Sequence, residues 1–147
     1  MVGRLALLIL FGLMAAQPLS AKPRCTPERE YEPAMCPLVL PPIVHVAVEM
    51  NAVKSPLETD PSVDCSELVV TPALIRRYLT RAKQVPSGTS HSQLLWDSCS
   101  ASGTVLFKDG RSARWSVSRL RVGSLIFDGS PEMTLYCPTC KEKPFVW

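Results

Sequence analysis

The sequence predicts an α+β fold: an antiparallel β-meander of four to five strands packed against one amphipathic helix, stapled by disulfides and preceded by an extended Pro-rich arm. Three observations predict it. One stretch, Thr71 to Val85, spaces its apolar residues as a helix does. From Gln93 onward the apolar residues alternate with a period of two, as in half-buried strands. Six cysteines, an even number, sit in a chain of 147 residues whose start reads as an export signal, which favours a disulfide framework.

Taking the chain in order, Arg4 precedes an uninterrupted apolar run from Leu5 to Ala16, and Gln17 to Ala21 forms a polar, Pro-containing end. That pattern predicts a secretory signal peptide over residues 1–21, cut after Ala21. The run is too short for a membrane span, which needs about 20 apolar residues. No transmembrane anchor is expected after cleavage, and the expected location is periplasmic or secreted. Residues 22–64 read as a Pro-rich, acidic arm with one strand, Ile43 to Met50, followed by loop from Asn51 to Asp64. Residues 65–147 read as the stapled α+β domain.

Charge follows the same division. Residues 22–67 hold eight acidic and four basic side chains, whereas residues 68–147 hold five acidic and eleven basic ones. The formal charge of +3 is too mild for nucleic-acid binding, and nucleic acid is not an expected partner.

In the helix, Thr71 is placed to cap, Pro72 suits the first helical position, and Leu74, Ile75, Tyr78, Leu79, Ala82 and Val85 form the apolar stripe. Pro86-Ser87-Gly88 ends it. Arg76, Arg77, Arg81 and Lys83 occupy the other face, the solvated side of an amphipathic helix or a partner-binding patch. Beyond it, Leu94 and Trp96 alternate, Val105 and Phe107 alternate, and Lys108-Asp109-Gly110-Arg111 turns the chain into Ala113, Trp115 and Val117 as a hairpin. Gly123 to Phe127 and Met133 to Cys137 make two further strands. Trp96, Trp115 and Phe127 are expected in the core, since large aromatic residues dominate small cores.

Cys25 and Cys36 bracket a short segment and form the natural local bridge. Spacing alone allows 15 pairings of six cysteines. The pairing expected for the rest has Cys65 and Cys99 each reaching one of Cys137 and Cys140 across long loops.

Chemistry is sparse. His45 and His91 cannot supply a three-His zinc site, and Ser90-His91-Ser92 lacks a nucleophile elbow. No phosphate-binding, dinucleotide-binding or calcium-loop motif occurs, so no metal and no cofactor is expected. Cys137-Pro138-Thr139-Cys140 has the spacing of a thiol-exchange site, but it follows a strand rather than opening a helix, and the structural reading is preferred.

The stretch Ser102 to Arg111 (SGTVLFKDGR), then Ala113-Arg114-Trp115-Ser116, then Leu135 to Cys140 (LYCPTC) resembles a family of small exported Cys-containing proteins of Gram-negative bacteria. The resemblance covers roughly residues 65–145 and implies a periplasmic setting, with no activity attached. The expected function is that of a non-enzymatic periplasmic binding protein for a protein partner, such as an immunity protein neutralising a secreted toxin that acts in the periplasm. The alternatives are a thiol-disulfide protein using Cys137 and Cys140, and an envelope-binding protein whose helix arginines meet anionic phosphate groups.

Overall fold

The computed structural model describes residues 24–146. The expected leader over residues 1–21 lies outside the described residues, as does the side chain of His91. The elements run β1 (Cys36–Pro37), β2 (Ile43–Lys54), α1 (Pro72–Arg81), β3 (Lys83–Val85), α2 (Thr89–Ser92), β4 (Cys99–Phe107), β5 (Ser112–Ser118), β6 (Val122–Phe127) and β7 (Met133–Tyr136).

The α+β class stands, with a larger sheet than expected. Seven described strands, all antiparallel, form one sheet in the order β1-β3-β7-β6-β5-β4-β2, where four to five were predicted. The meander β4 to β7 is the expected part. The additions are β1 and β3, of two and three residues, which are too short to carry a period.

The sheet is curled. Flat, its outer strands would stand about 29 Å apart at the usual strand spacing. Only residues 38–42 join β1 to β2 at the opposite edges, and they reach about 20 Å when fully extended. The connection crosses the open end, with Leu38 and Leu40 packed on the core, Val39 exposed, and the Pro42 carbonyl accepting from Lys108 N–H at 2.8 Å.

Helix α1 fills the concave side. Thr71 Oγ1 accepts from Leu74 N–H at 3.2 Å and Pro72 opens the first turn, so the start matches the sequence reading. Leu74, Ile75, Tyr78 and Leu79 are buried against Val46, Val105, Trp115, Val117, Leu125 and Leu135 of the sheet in one core cluster. The helix stops at Arg81 rather than Val85. Proline after Val85 disfavours the helical conformation there, and Lys83–Val85 instead pairs with Thr134 to Tyr136 of β7. Lys83 therefore belongs to a strand and not to the helix face.

Other expectations are corrected in the same way. Strand β2 continues through Asn51 to Lys54, because register shifts at Val48/Met50 and Met50/Val53 let it bend and go on pairing with β4. Asn51 holds the bend: its side chain accepts from Val70 N–H at 2.9 Å and donates to Val70 O at 3.3 Å. Residues 93–97 form no strand. They belong to the loop after α2, and Trp96 lies 56% exposed instead of in the core, while Trp115 is buried as expected and Phe127 partly so.

The disulfides are Cys25–Cys36, Cys65–Cys99 and Cys137–Cys140. The first is the expected local bridge, and the other two replace the expected long-range pairing. Cys99 opens β4 and Cys137 follows β7, three strands away in the sheet. That separation is about 14 Å, beyond the roughly 7 Å a disulfide spans between Cα atoms.

Candidate functional site

Residues 25–36 form a β-hairpin of their own. Thr26 and Met35 exchange two backbone hydrogen bonds at 2.8 and 3.3 Å, and Arg29 and Glu32 exchange two more at 2.9 and 3.1 Å. Only Glu30 and Tyr31 are left to make the turn. The Cys25–Cys36 disulfide closes the base, restricting the unfolded chain by on the order of 3 kcal/mol for a loop of this length. Pro33, on the hairpin's return strand, is fully buried, and the Gln93 amide donates to the Glu28 carboxylate.

At the tip, Tyr31 has φ 66° and is 87% exposed. A bulky L-residue in the left-handed region costs about 1–2 kcal/mol, and two-residue turns normally place Gly or Asn there. Two other described non-glycine residues share this conformation, and each is held by the interior. Ala52 sits at the β2 irregularity and donates its N–H to Leu68 O at 3.1 Å. The Arg121 carbonyl accepts from Tyr78 Oη and from Cys137 N–H, both at 3.1 Å, and its guanidinium donates to Pro138 O at 3.0 Å. Burial pushes the Tyr78 hydroxyl far above its ordinary range, so it stays a donor. Tyr31 has no comparable contact to offset its strain. Glu30 and Glu32 flank it, with Arg29 paired to Glu32 across the turn, so the tip sets an exposed aromatic between two carboxylates beside one guanidinium.

The residues singled out from sequence take different places. Arg76 is turned onto the end of β2, where Nη1 and Nη2 donate to the carbonyls of Ile43 and Val44. Arg77 and Arg81 converge on Glu142, at 3.5 and 3.2 Å. These two cations hold the Glu142 carboxyl below its ordinary value, after a larger effect of its own backbone hydrogen bond. The helix arginines thus tie α1 to β2 and to the C-terminal segment, and Lys83 stands apart on β3.

Cys137 and Cys140 are paired and fully buried, immediately after a strand. Thiol exchange needs an accessible sulfur, and here both are buried, although the Arg121 guanidinium reaches Pro138 O in the same loop. Cys65–Cys99 pins the loop between β2 and α1 onto β4. Beside it, Asp97 accepts from Arg119 Nη2 at 2.9 Å, from Arg119 N–H at 3.0 Å and from Cys99 N–H at 3.1 Å. Burial tends to raise the Asp97 carboxyl, but these bonds outweigh it and hold the group below its ordinary value.

Among the described residues, no three His, Cys, Asp or Glu side chains gather where they could hold a metal ion. Nor is any described helix long and apolar enough to cross a membrane. No family model, curated protein or solved structure matches the chain.

Sequence reasoning flagged the hairpin only through the spacing of Cys25 and Cys36. It missed Tyr31, because the tip sequence Glu30-Tyr31 carries none of the usual turn residues.

Proposed function

We propose that the protein is a non-enzymatic binding domain that works outside the cytoplasm and docks a protein partner through the locked hairpin, in the manner of an inhibitor or immunity protein. The observation that carries this reading is Tyr31: an exposed aromatic in a strained conformation, held rigid by a disulfide and by strand pairing. Strain unrelated to packing concentrates at functional positions. Tyrosine is also among the side chains that dominate binding energy once buried in a partner's pocket. A hairpin fixed before binding avoids the ordering cost that a flexible loop would incur. The adjoining Glu30 and Glu32 fit a pocket with a positively charged rim and would speed encounter at low salt. Three disulfides fit an oxidising compartment, and the sequence resemblance favours the periplasm.

The test places a photo-reactive phenylalanine analogue at position 31 of the exported chain in its native cells. A discrete adduct with one exported protein is expected, absent when the analogue sits at Lys108 on the β4–β5 turn and lost in Cys25→Ala/Cys36→Ala. Tyr31→Ala should then weaken the purified complex by about 30-fold or more, the scale of an interface hot spot. Failure of any adduct to form at position 31 removes the reading.

A further inference from the structure

The sheet's outward face carries a feature the hairpin does not use. Ala113, Trp115, Val117, Leu125 and Leu135 point inward, so their neighbours point out. Ser116 opposes Ser124, Ser124 opposes Thr134, and Ser100 opposes Ser118. These short side chains make a low floor. The loop between β3 and β4 stands beside it, and together they enclose a trough of about 370 Å³.

The lining has a definite chemistry. Ser116 Oγ and Ser124 Oγ lie 2.9 Å apart, and a hydroxyl in such a pair keeps further hydrogen-bonding capacity. Ser118 also borders the trough, with its Oγ buried below the surface. Leu95 and Trp96 form one wall and are largely exposed. That wall is fixed, because the next residue, Asp97, is tied to Arg119 at 2.9 Å. Glu132 and Asp97 are the charged residues lining the trough, and no Lys or Arg joins them.

We propose that this trough is a carbohydrate-binding site for a neutral pyranose saccharide. A pyranose presents a flat C–H face and a rim of hydroxyls. The indole face is electron-rich and takes the C–H face, while the outward hydroxyls of Ser116, Ser124 and Thr134 exchange hydrogen bonds with the rim. Phosphorylated or carboxylated ligands meet the Glu132 carboxylate, while Asp97 is already paired with Arg119 and no Lys or Arg lines the trough. A purely apolar ligand would strand the hydroxyl floor without partners. The volume falls within the range of small-ligand sites. This inference stands on other residues than the docking hairpin and does not depend on it.

The experiment is a two-dimensional amide NMR titration of the exported chain with chitotetraose, cellotetraose and maltotetraose in turn. At least one is expected to give saturable shifts at Trp96, Ser118, Ser124 and Thr134, with Kd between about 10 µM and 1 mM. Trp96→Ala, at an exposed position, should weaken that binding about tenfold or more. Ser124→Ala should weaken it about fivefold, since it deletes a hydroxyl from the trough floor. No saturable shift at these residues with any of the three sugars up to about 10 mM would overturn the site. So would binding that persists undiminished in Trp96→Ala.

Discussion

Cys65→Ala/Cys99→Ala is expected to lower stability by about 4 kcal/mol, the largest loss from any of the three bridges. The bond closes a sequence separation of 34 residues, and the chain-entropy cost released in the unfolded state at that length is itself about 4 kcal/mol. The two residues are also buried, so their sulfurs leave a small void. Without the bridge, the loop between β2 and α1 keeps its attachment through the Asn51–Val70 pair, the Ala52–Leu68 bond and the Arg119 contact to Asp64 O at 3.0 Å. Cys137→Ala/Cys140→Ala closes a separation of only three residues and should cost about half as much. Thermal unfolding of both variants checks the order. Equal losses would mean that the Cys65–Cys99 bridge contributes nothing through the length of its loop.

Gly103→Ala should cost about 3 kcal/mol or more, a drop of roughly 10 °C in melting temperature. Gly103 sits in β4 between Val48 of β2 and Trp115 of β5. A Cβ there would lie 2.0 Å from the Ala47 carbonyl oxygen and 2.8 Å from Trp115 Cζ2. The ring has little room to yield, because its Nε1 donates to Thr104 O at 3.1 Å and the residue is buried. The backbone carbonyl cannot yield without parting β2 from β4. The glycine is therefore a requirement of close strand approach and not of turn geometry. A melting temperature within about 3 °C of the parent would show that β2 is free to shift, contrary to the register described.

How much of this could be read in advance depends on which force decides each segment. The start of α1 was readable because Thr71 and Pro72 act locally, through a cap and a preset backbone angle. Its end was not, because Val85 fits both a helical stripe and a strand, and Pro86 decided against the helix. The Asp109-Gly110 turn announced the β4–β5 hairpin, with Gly110 at φ 85° as such a turn requires. The continuation of β2 past Met50 was hidden, since a bulge breaks the alternation by which strands are recognised. Disulfide pairing depends on the order of strands in the sheet, which spacing does not encode. The docking tip was hidden for a related reason. Tyr31 occupies a position where glycine is the expected residue, so its conformation contradicts local propensity, and such contradictions gather at functional positions.

The most direct test of the docking role is the stability of Tyr31→Gly in the otherwise intact chain. If the tip is strained for the sake of a partner, glycine relieves the left-handed conformation and removes no packing. Thermal unfolding should then show a gain of about 0.5–1 kcal/mol, a rise of a few degrees. A fall in melting temperature would contradict it, since the tyrosine would then be holding the fold together and not waiting for a partner.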